Sequence, residues 1–281
     1  MVQSREPAVQ GFLSEEDCIA YFYRMKWPDG FRCPRCEHSH AYTVNTRRLP
    51  LYECRFCRHQ TSLTAGTAME GSRTPLHKWA VAMQLVSQPA SINAVQLAEQ
   101  ICVTYKTAWS MLRKIRQAIS DNDAKQPLSG AVRAGPAFYG RTTRQPFVRH
   151  PQEHPVMVGA AFHLNGQPSY IKVKTVPMTH MDGKSILRSG EHDFVERHVE
   201  PETFDVRILK RFRLHEINLL PEVFKQAKKW INRTFHGIGA KYLQNYLDEF
   251  CFRCNQSYRD MPVMDVLSGI CLASAPRPAV Q

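Results

Sequence analysis

Four cysteines carry the spacing of a metal site. Cys33-Pro34-Arg35-Cys36 and Cys54-Arg55-Phe56-Cys57 are two C-x2-C pairs with seventeen residues between them. Both sulfurs of such a pair reach one ion from a tight turn, and two pairs complete a tetrahedral shell. Zinc is the metal this donor set selects. A closed four-Cys shell is structural, because it leaves no open position for catalysis. His38 and His40 lie beside the pairs, but the four thiolates already fill the shell. A third pair, Cys251 and Cys254, falls in a helical pattern with no second pair nearby, so buried structural cysteines are expected there. The nine Cys are an odd number, and with no export signal in Met1 to Gln10 they fit a reducing compartment better than a disulfide frame.

These cysteines need turns to hold them. Ala41–Asn45 and Leu49–Glu53 read as short strands between the pairs, so each pair sits at a hairpin-like turn. Ahead of them, Ser14-Glu15-Glu16-Asp17 spells a capped helix start, and Trp27-Pro28-Asp29-Gly30 a stop. From Thr74 to Ala118 the apolar residues recur at helical spacing. A break at Cys102-Val103-Thr104 joins two helices in the layout of a helix-turn-helix. In that layout Tyr105, Lys106 and Ser110 face a major groove, and Arg113, Lys114 and Arg116 meet phosphates, while Trp109 packs the core. Residues 121–130 read as a linker. Strands are expected at Ala131–Tyr139, Val156–Leu164 and Ser169–Val176, the last two joined through Asn165-Gly166. A helix is expected near Asp182, a strand near Thr203–Ile208, and helices at Pro221–Asn232 and Lys241–Gln256.

Composition agrees with a nucleic-acid partner. The 281 residues carry 37 Lys+Arg against 25 Asp+Glu, a net charge of +12. The excess divides evenly between the two halves, so it is not one basic tail. It concentrates at residues 24–58 and 206–241. No apolar run is long enough to span a membrane.

Several strings resemble a known family. They are Trp27-Pro28-Asp29-Gly30-Phe31, His59-Gln60-Thr61-Ser62-Leu63-Thr64-Ala65-Gly66-Thr67, Thr107-Ala108-Trp109, Thr234-Phe235-His236-Gly237, and Tyr242-Leu243-Gln244-Asn245-Tyr246-Leu247-Asp248-Glu249-Phe250. Together they resemble bacterial insertion-sequence transposases of the ISXO2-like branch, which pair a zinc ribbon with an RNase H-like acidic-triad domain. The resemblance implies a multidomain α/β fold. An N-terminal helix and zinc ribbon would span 11–66, a helix-turn-helix 72–120, an RNase H-like mixed sheet with flanking helices, incomplete, 128–260, and a tail 261–281. It implies double-stranded DNA as partner, at inverted-repeat ends, a homo-oligomer that synapses two ends, and a cytoplasmic, nucleoid-associated place. Active relatives use Mg2+ or Mn2+ held by carboxylates for in-line strand cleavage and transfer.

The sequence departs from that family at the carboxylates. The first falls on Gly135, the second near Ile208, and the third on Pro221, with the accompanying Lys228 kept. Asp205 is the acid nearest the second position, and a one-residue slip would make Glu222 the third ligand. The expectation is therefore a transposase with no intact catalytic set, or alternatively a non-catalytic DNA-binding protein or repressor derived from one.

Overall fold

The structure is a computed structural model that describes residues 14–45, 47–143, 149–210, 218–257 and 261–273. The readings of the first ten residues, of Arg211 and Arg213, and of the chain beyond 273 lie outside the described residues. The chain divides into two compact units. One is Met1–Ala118 with Met261–Gln281, and the other is Ile119–Asp260.

The first unit opens with helix α1 (Glu15–Lys26). Ser14 caps it as its spelling suggests, accepting from the Asp17 N–H at 3.1 Å. Strands β1 (Ala41–Val44), β2 (Leu51–Cys54) and β3 (Gln60–Ser62) form an antiparallel sheet in that order. The third strand was not expected, since three residues carry no readable alternation. The Lys26 ammonium ties the segment after β3 to the end of α1. It donates to the carbonyls of Ser62, Leu63 and Ala65, and burial brings its pKa down to about 8.

Helices α2 (Leu76–Ser87), α3 (Ala94–Gln100) and α4 (Tyr105–Asp123) follow. Pro75 precedes α2 and supplies no side-chain cap. The Glu15 carboxylate takes that role from α1, accepting from the N–H groups of Leu76 and His77 at 2.8 and 2.9 Å. Asn93 and Gln96 form a reciprocal capping box on α3. The linker expectation for 121–130 is corrected at its start. Residues 121–123 continue α4, because Asp123 finds buried cationic partners described below.

The second unit is built on strands β4 (Ala131–Gly140), β5 (Glu153–Phe162) and β6 (Pro168–Thr175), a meander with Gly166 (φ 79°) in the β5–β6 turn. The helix expected near Asp182 is instead a small hairpin of β7 (Met181–Asp182) and β8 (Ser185–Ile186), turning at Gly183 with φ 53°. Helix α5 (Arg188–His198) follows, and β9 (Val206–Ile208) returns parallel to β4. The sheet order is β6-β5-β4-β9. Three antiparallel strands, a helical crossover and a fourth strand parallel to the first make the mixed sheet expected of the RNase H-like class. Helices α6 (Leu219–Phe235) and α7 (Ala240–Gln256) complete the unit.

The two faces of this sheet have separate cores. Val132, Ala134, Met157 and Ala161 pack with Phe194 of α5. A Cβ on Gly159 would lie 2.7 Å from the Phe194 ring, so only glycine permits that approach. Tyr139, Val156, Val158, Ile171 and Val173 pack with α6 and α7 on the opposite face, and Cys251 and Cys254 belong to this cluster as structural residues.

Strand β6 ends the sheet, and α7 satisfies its open edge. Asn255 accepts from the Ile171 N–H and donates to its carbonyl at 2.8 and 3.0 Å. Gln244 accepts from the Thr175 N–H at 2.7 Å and donates to the Val173 carbonyl at 3.0 Å. Side-chain amides thus replace the missing neighbour strand. Asn255→Leu would leave both backbone groups of buried Ile171 unpartnered. We expect a loss of about 3 kcal/mol in urea unfolding, and a loss under 1 kcal/mol would refute the edge role.

After α7 the chain returns to the first unit as α8 (Val263–Ala273). The tail expected at 261–281 is corrected over these residues. Leu267, Cys271 and Leu272 are buried, and Tyr21 of α1 donates to Asp265 at 2.7 Å.

Candidate metal centre and nucleic-acid interface

The two cysteine pairs sit on equivalent turns. Cys33 donates its N–H to the His38 carbonyl and accepts at its own carbonyl from Glu37, at 3.0 and 2.9 Å. Cys54 repeats this with His59 and Arg58, at 2.9 and 3.1 Å. Each turn closes on a left-handed residue, Glu37 (φ 61°) and Arg58 (φ 58°). The result brings four sulfurs together within 4.8 Å of one another. Cys33–Cys57 and Cys36–Cys54 are 3.6 Å apart, and Cys36–Cys57 3.3 Å. Four sulfurs on a tetrahedral zinc ion stand about 3.8 Å apart, given Zn–S bonds of about 2.3 Å. A disulfide needs about 2.05 Å. The residues therefore fit zinc. Burial would raise the Cys54 thiol, but the backbone N–H groups of Cys57 and Phe56 overrule it and bring the pKa to about 7. The Cys54 turn favours its thiolate, the form that binds metal, whereas at Cys36 the His38 N–H lowers the pKa but burial and the neighbouring sulfurs push it up to about 12.

Below the cysteines, Trp27, Phe31, Tyr52 and Tyr23 stack in a cluster with ring centroids 5.1–6.0 Å apart. Above them the surface is basic. Arg32, Arg35, Arg55 and Arg58 are exposed, and Phe56 stands 77% exposed between two ligands.

The helix-turn-helix reading falls on α3, the turn Ile101–Thr104, and α4. Thr104 caps α4 by accepting from the Thr107 N–H at 3.2 Å. The turn passes through Cys102 at φ 49°, where no glycine marks the sequence. Cys102→Gly should raise the thermal stability of the first unit by about 1 kcal/mol. An unchanged or lower melting temperature would contradict the strain.

The structure divides the six residues expected at DNA. Tyr105, Lys106, Ser110 and Arg113 are exposed on α4, with Arg113 5.5 Å from the ring of half-buried Trp109. Lys114 instead donates to the Glu70 carbonyl at 2.6 Å, and burial lowers its pKa. Arg116 is 4% exposed. Lys114 is thus partly buried and Arg116 fully so, which helical spacing alone did not reveal because long cationic chains also border core positions.

The positions expected to match the family's carboxylates lie in the second unit. Gly135 is buried in β4 opposite Val158 of β5. Strand alternation sets it on the α6 face with Ala137 and Tyr139. Ile208 pairs beside Ala134 and packs on the α5 face. The two matched positions thus point to opposite sides of the sheet. Leu209, which donates to the Ala134 carbonyl at 2.7 Å and packs with the α6 cluster, is the neighbour of Gly135 on its own face. Pro136 lies beyond the last β9 pairing, where β4 is an edge and a proline costs no ladder hydrogen bond.

Pro221 is exposed in the first turn of α6. Glu222 is exposed too, bonded by Gln226 at 3.2 Å and facing Lys225 at 3.5 Å, and these two lower its pKa in that order. The Lys228 ammonium lies 5.8 Å from the Phe224 ring. Asp205 is held by Arg133, whose guanidinium donates to both carboxylate oxygens at 3.0 and 2.8 Å. That hydrogen bonding, ahead of the Arg133 charge, keeps the Asp205 pKa low. Among the described residues, the four cysteines are the one group of three or more His, Cys, Asp or Glu side chains close enough to share an ion. Gly135, Ile208 and Pro221, the positions that the resemblance matches to the family's carboxylates, offer no oxygen side chain for a pair of divalent metals.

Sequence reasoning missed a buried charge network. Lys172 and Lys174 of β6 look like the solvent face of an amphipathic strand, yet both are buried. Asp123 accepts from Lys172 at 2.8 Å and from Tyr170 at 3.0 Å, and Lys174 lies 2.6 Å from both Asp123 and Asp248. The signal available was Asp123 and Asp248 at helix positions with no other role.

Fold and site define a zinc-ribbon protein with a transposase-type α/β unit. Residues 13–60 match the family described as a transposase zinc-ribbon domain, and residues 189–255 match the ISXO2-like transposase domain. These two stretches are thus similar to the two domains of insertion-sequence transposases of this branch. It is 27% identical over 126 residues to an uncharacterized protein in transposable element ISH50 of Halobacterium salinarum. That similarity covers 44% of this chain and 42% of the relative, so the chain spans less than half of the protein it matches. No solved structure matches. No described helix is long and apolar enough to cross a membrane.

Proposed function

We propose that this chain binds double-stranded DNA at the ends of an insertion sequence, through its zinc ribbon and α4, and does not perform strand transfer. One observation carries the second half. Where the family places carboxylates, this chain has Gly135, Ile208 or Leu209, and Pro221, and the nearby Asp205 is clamped by Arg133. An arginine there supplies positive charge from the protein itself, where active relatives hold cations between acids. The first half rests on the family, on the exposed arginines of the ribbon, and on Tyr105, Lys106, Ser110 and Arg113 sharing the exposed side of α4. Synapsis of two ends would need two copies of the chain.

The test is a duplex carrying the flanks of the chain's own gene, incubated with Mg2+ or Mn2+, beside EDTA and Glu222→Ala controls. Retarded but uncut DNA is expected. Metal-dependent cuts at fixed positions would overturn the proposal and place other acids, Glu222 first, in the site. Lys106→Ala and Arg113→Ala should each lower the slope of log affinity against log salt by about 1. Arg116→Ala should leave that slope alone and lower the melting temperature. Equal slopes for all three would refute the assignment of α4's outer face.

A further inference from the structure

A pocket of about 520 Å3 opens at one end of the second unit, away from any role assigned above. It lies where β4 ends and β5 begins, against the end of α6 and the turn into α7. Arg141, His154, Asn232 and His236 line it, and among the described residues no Asp or Glu does.

Its construction is specific. Gly140 has φ 105°, and a Cβ there would lie 1.9 Å from the Gln152 carbonyl oxygen, so the backbone reaches Arg141 only through glycine. The Tyr139 hydroxyl donates to the Asn232 Oδ1 at 3.1 Å and accepts from the Ile238 N–H at 3.1 Å. That fixes the Asn232 side chain with its amide N–H2 still able to donate. His236 ends α6 at φ 57°, followed by Gly237 at φ 99°. A histidine in the left-handed region is held where glycine would be relaxed, and such a residue points to a use for its side chain. Arg141 is exposed and has no ion pair or hydrogen bond among the described residues. Burial, with Arg149 adding to it, lowers the His154 pKa and keeps the ring neutral, able to donate without charge.

A guanidinium, an amide and two imidazoles therefore converge with no carboxylate among them. A metal cation would meet Arg141 and find no hard oxygen donor. A small oxyanion would meet donors on several sides. We propose that this pocket binds a phosphoryl group, with Arg141 and His236 as its principal contacts. On the function proposed above, that group belongs to the DNA backbone or to a 5′-phosphate end. A free nucleotide offers the same chemistry.

The test uses the full-length zinc-loaded chain labelled with 15N-histidine. Inorganic phosphate, adenosine monophosphate, and duplexes with 5′-phosphate or 5′-hydroxyl ends are titrated in turn. The His236 and His154 resonances should move saturably with inorganic phosphate. Arg141→Ala should weaken binding at least fivefold. His236→Gly should do the same while melting no lower than the parent, since glycine suits φ 57°, so misfolding cannot explain the loss. Displacement of phosphate by duplex assigns the group to DNA, and displacement by adenosine monophosphate alone assigns it to a free nucleotide. The double variant Lys106→Ala with Arg113→Ala should keep phosphate binding even where DNA retardation fails, which separates the two proposals. Immobile His236 resonances in every titration, or unchanged affinity in His236→Gly, would overturn the inference.

Discussion

Removing zinc from the full-length chain should unfold the ribbon and abolish DNA retardation, while the second unit keeps its own thermal transition. The ribbon sheet has strands of only three or four residues. Its apolar support is one aromatic cluster around Trp27 and Tyr52. So little buried surface does not offset the entropy of ordering some thirty residues. The metal must supply the difference, and structural zinc in small finger peptides contributes on the order of 10 kcal/mol. Cys33→Ser removes one of the four ligands and should act like chelation. Protease cleavage should then appear between residues 31 and 62, with zinc content near zero. A ribbon that stays protected after chelation would mean the aromatic cluster suffices and the metal is incidental.

Breaking the buried charge network should be the costliest single change in the second unit. Asp248→Ala leaves Lys172 and Lys174 to share the one carboxylate of Asp123, and removing one partner of a buried pair costs about 3–5 kcal/mol. Burial pushes the Asp248 pKa up against the pull of Lys174. Burial would also raise Asp123, but Lys174 and Lys172 overrule it and hold it below its ordinary value. His198 faces the same group. Burial first, then the Lys174 and Lys172 charges, depress its pKa from 6.5 to about 4. The unfolded chain therefore takes up a proton between pH 6.5 and 4 that the folded chain refuses, so stability falls as pH drops through that window. The Asp123 contribution is present above its unfolded pKa and is lost at lower pH still. Urea midpoints for the second unit should decline from pH 6.5 to 4, and His198→Gln should flatten that decline. A flat parent profile, or an Asp248→Ala loss below 1 kcal/mol, would refute the network's role.

The readable parts of this molecule were the local ones. The cysteine turns, the Ser14 cap, the Asn165-Gly166 turn and the long strands follow from neighbours in sequence, and these lie within a few residues of their expected places. The misread parts depend on distant partners. Lys172 and Lys174 alternate with Ile171 and Val173 as an exposed strand face would, and only Asp123 and Asp248 make them interior residues. Arg116 sits at a spacing that serves phosphate contact or burial equally well. The apolar run of α8 had no partner in view, because Tyr21 lies 244 residues away. At the positions matched to the family's carboxylates, sequence matching named Ile208, and the strand register places its neighbour Leu209 on the face that Gly135 occupies. A single sequence does not contain that register.

The place of α8 has a consequence for how the protein is made. Its partners α1 and α2 leave the ribosome first, but α8 follows only after the 142 residues of Ile119–Asp260 have been synthesised. At about 5–20 residues per second that interval is about 7–28 s. Throughout it, the nascent first unit lacks the buried Leu267, Cys271 and Leu272 of its final helix. A message cut short before the codons of Val263–Ala273 would yield a chain whose earliest-made part was never finished.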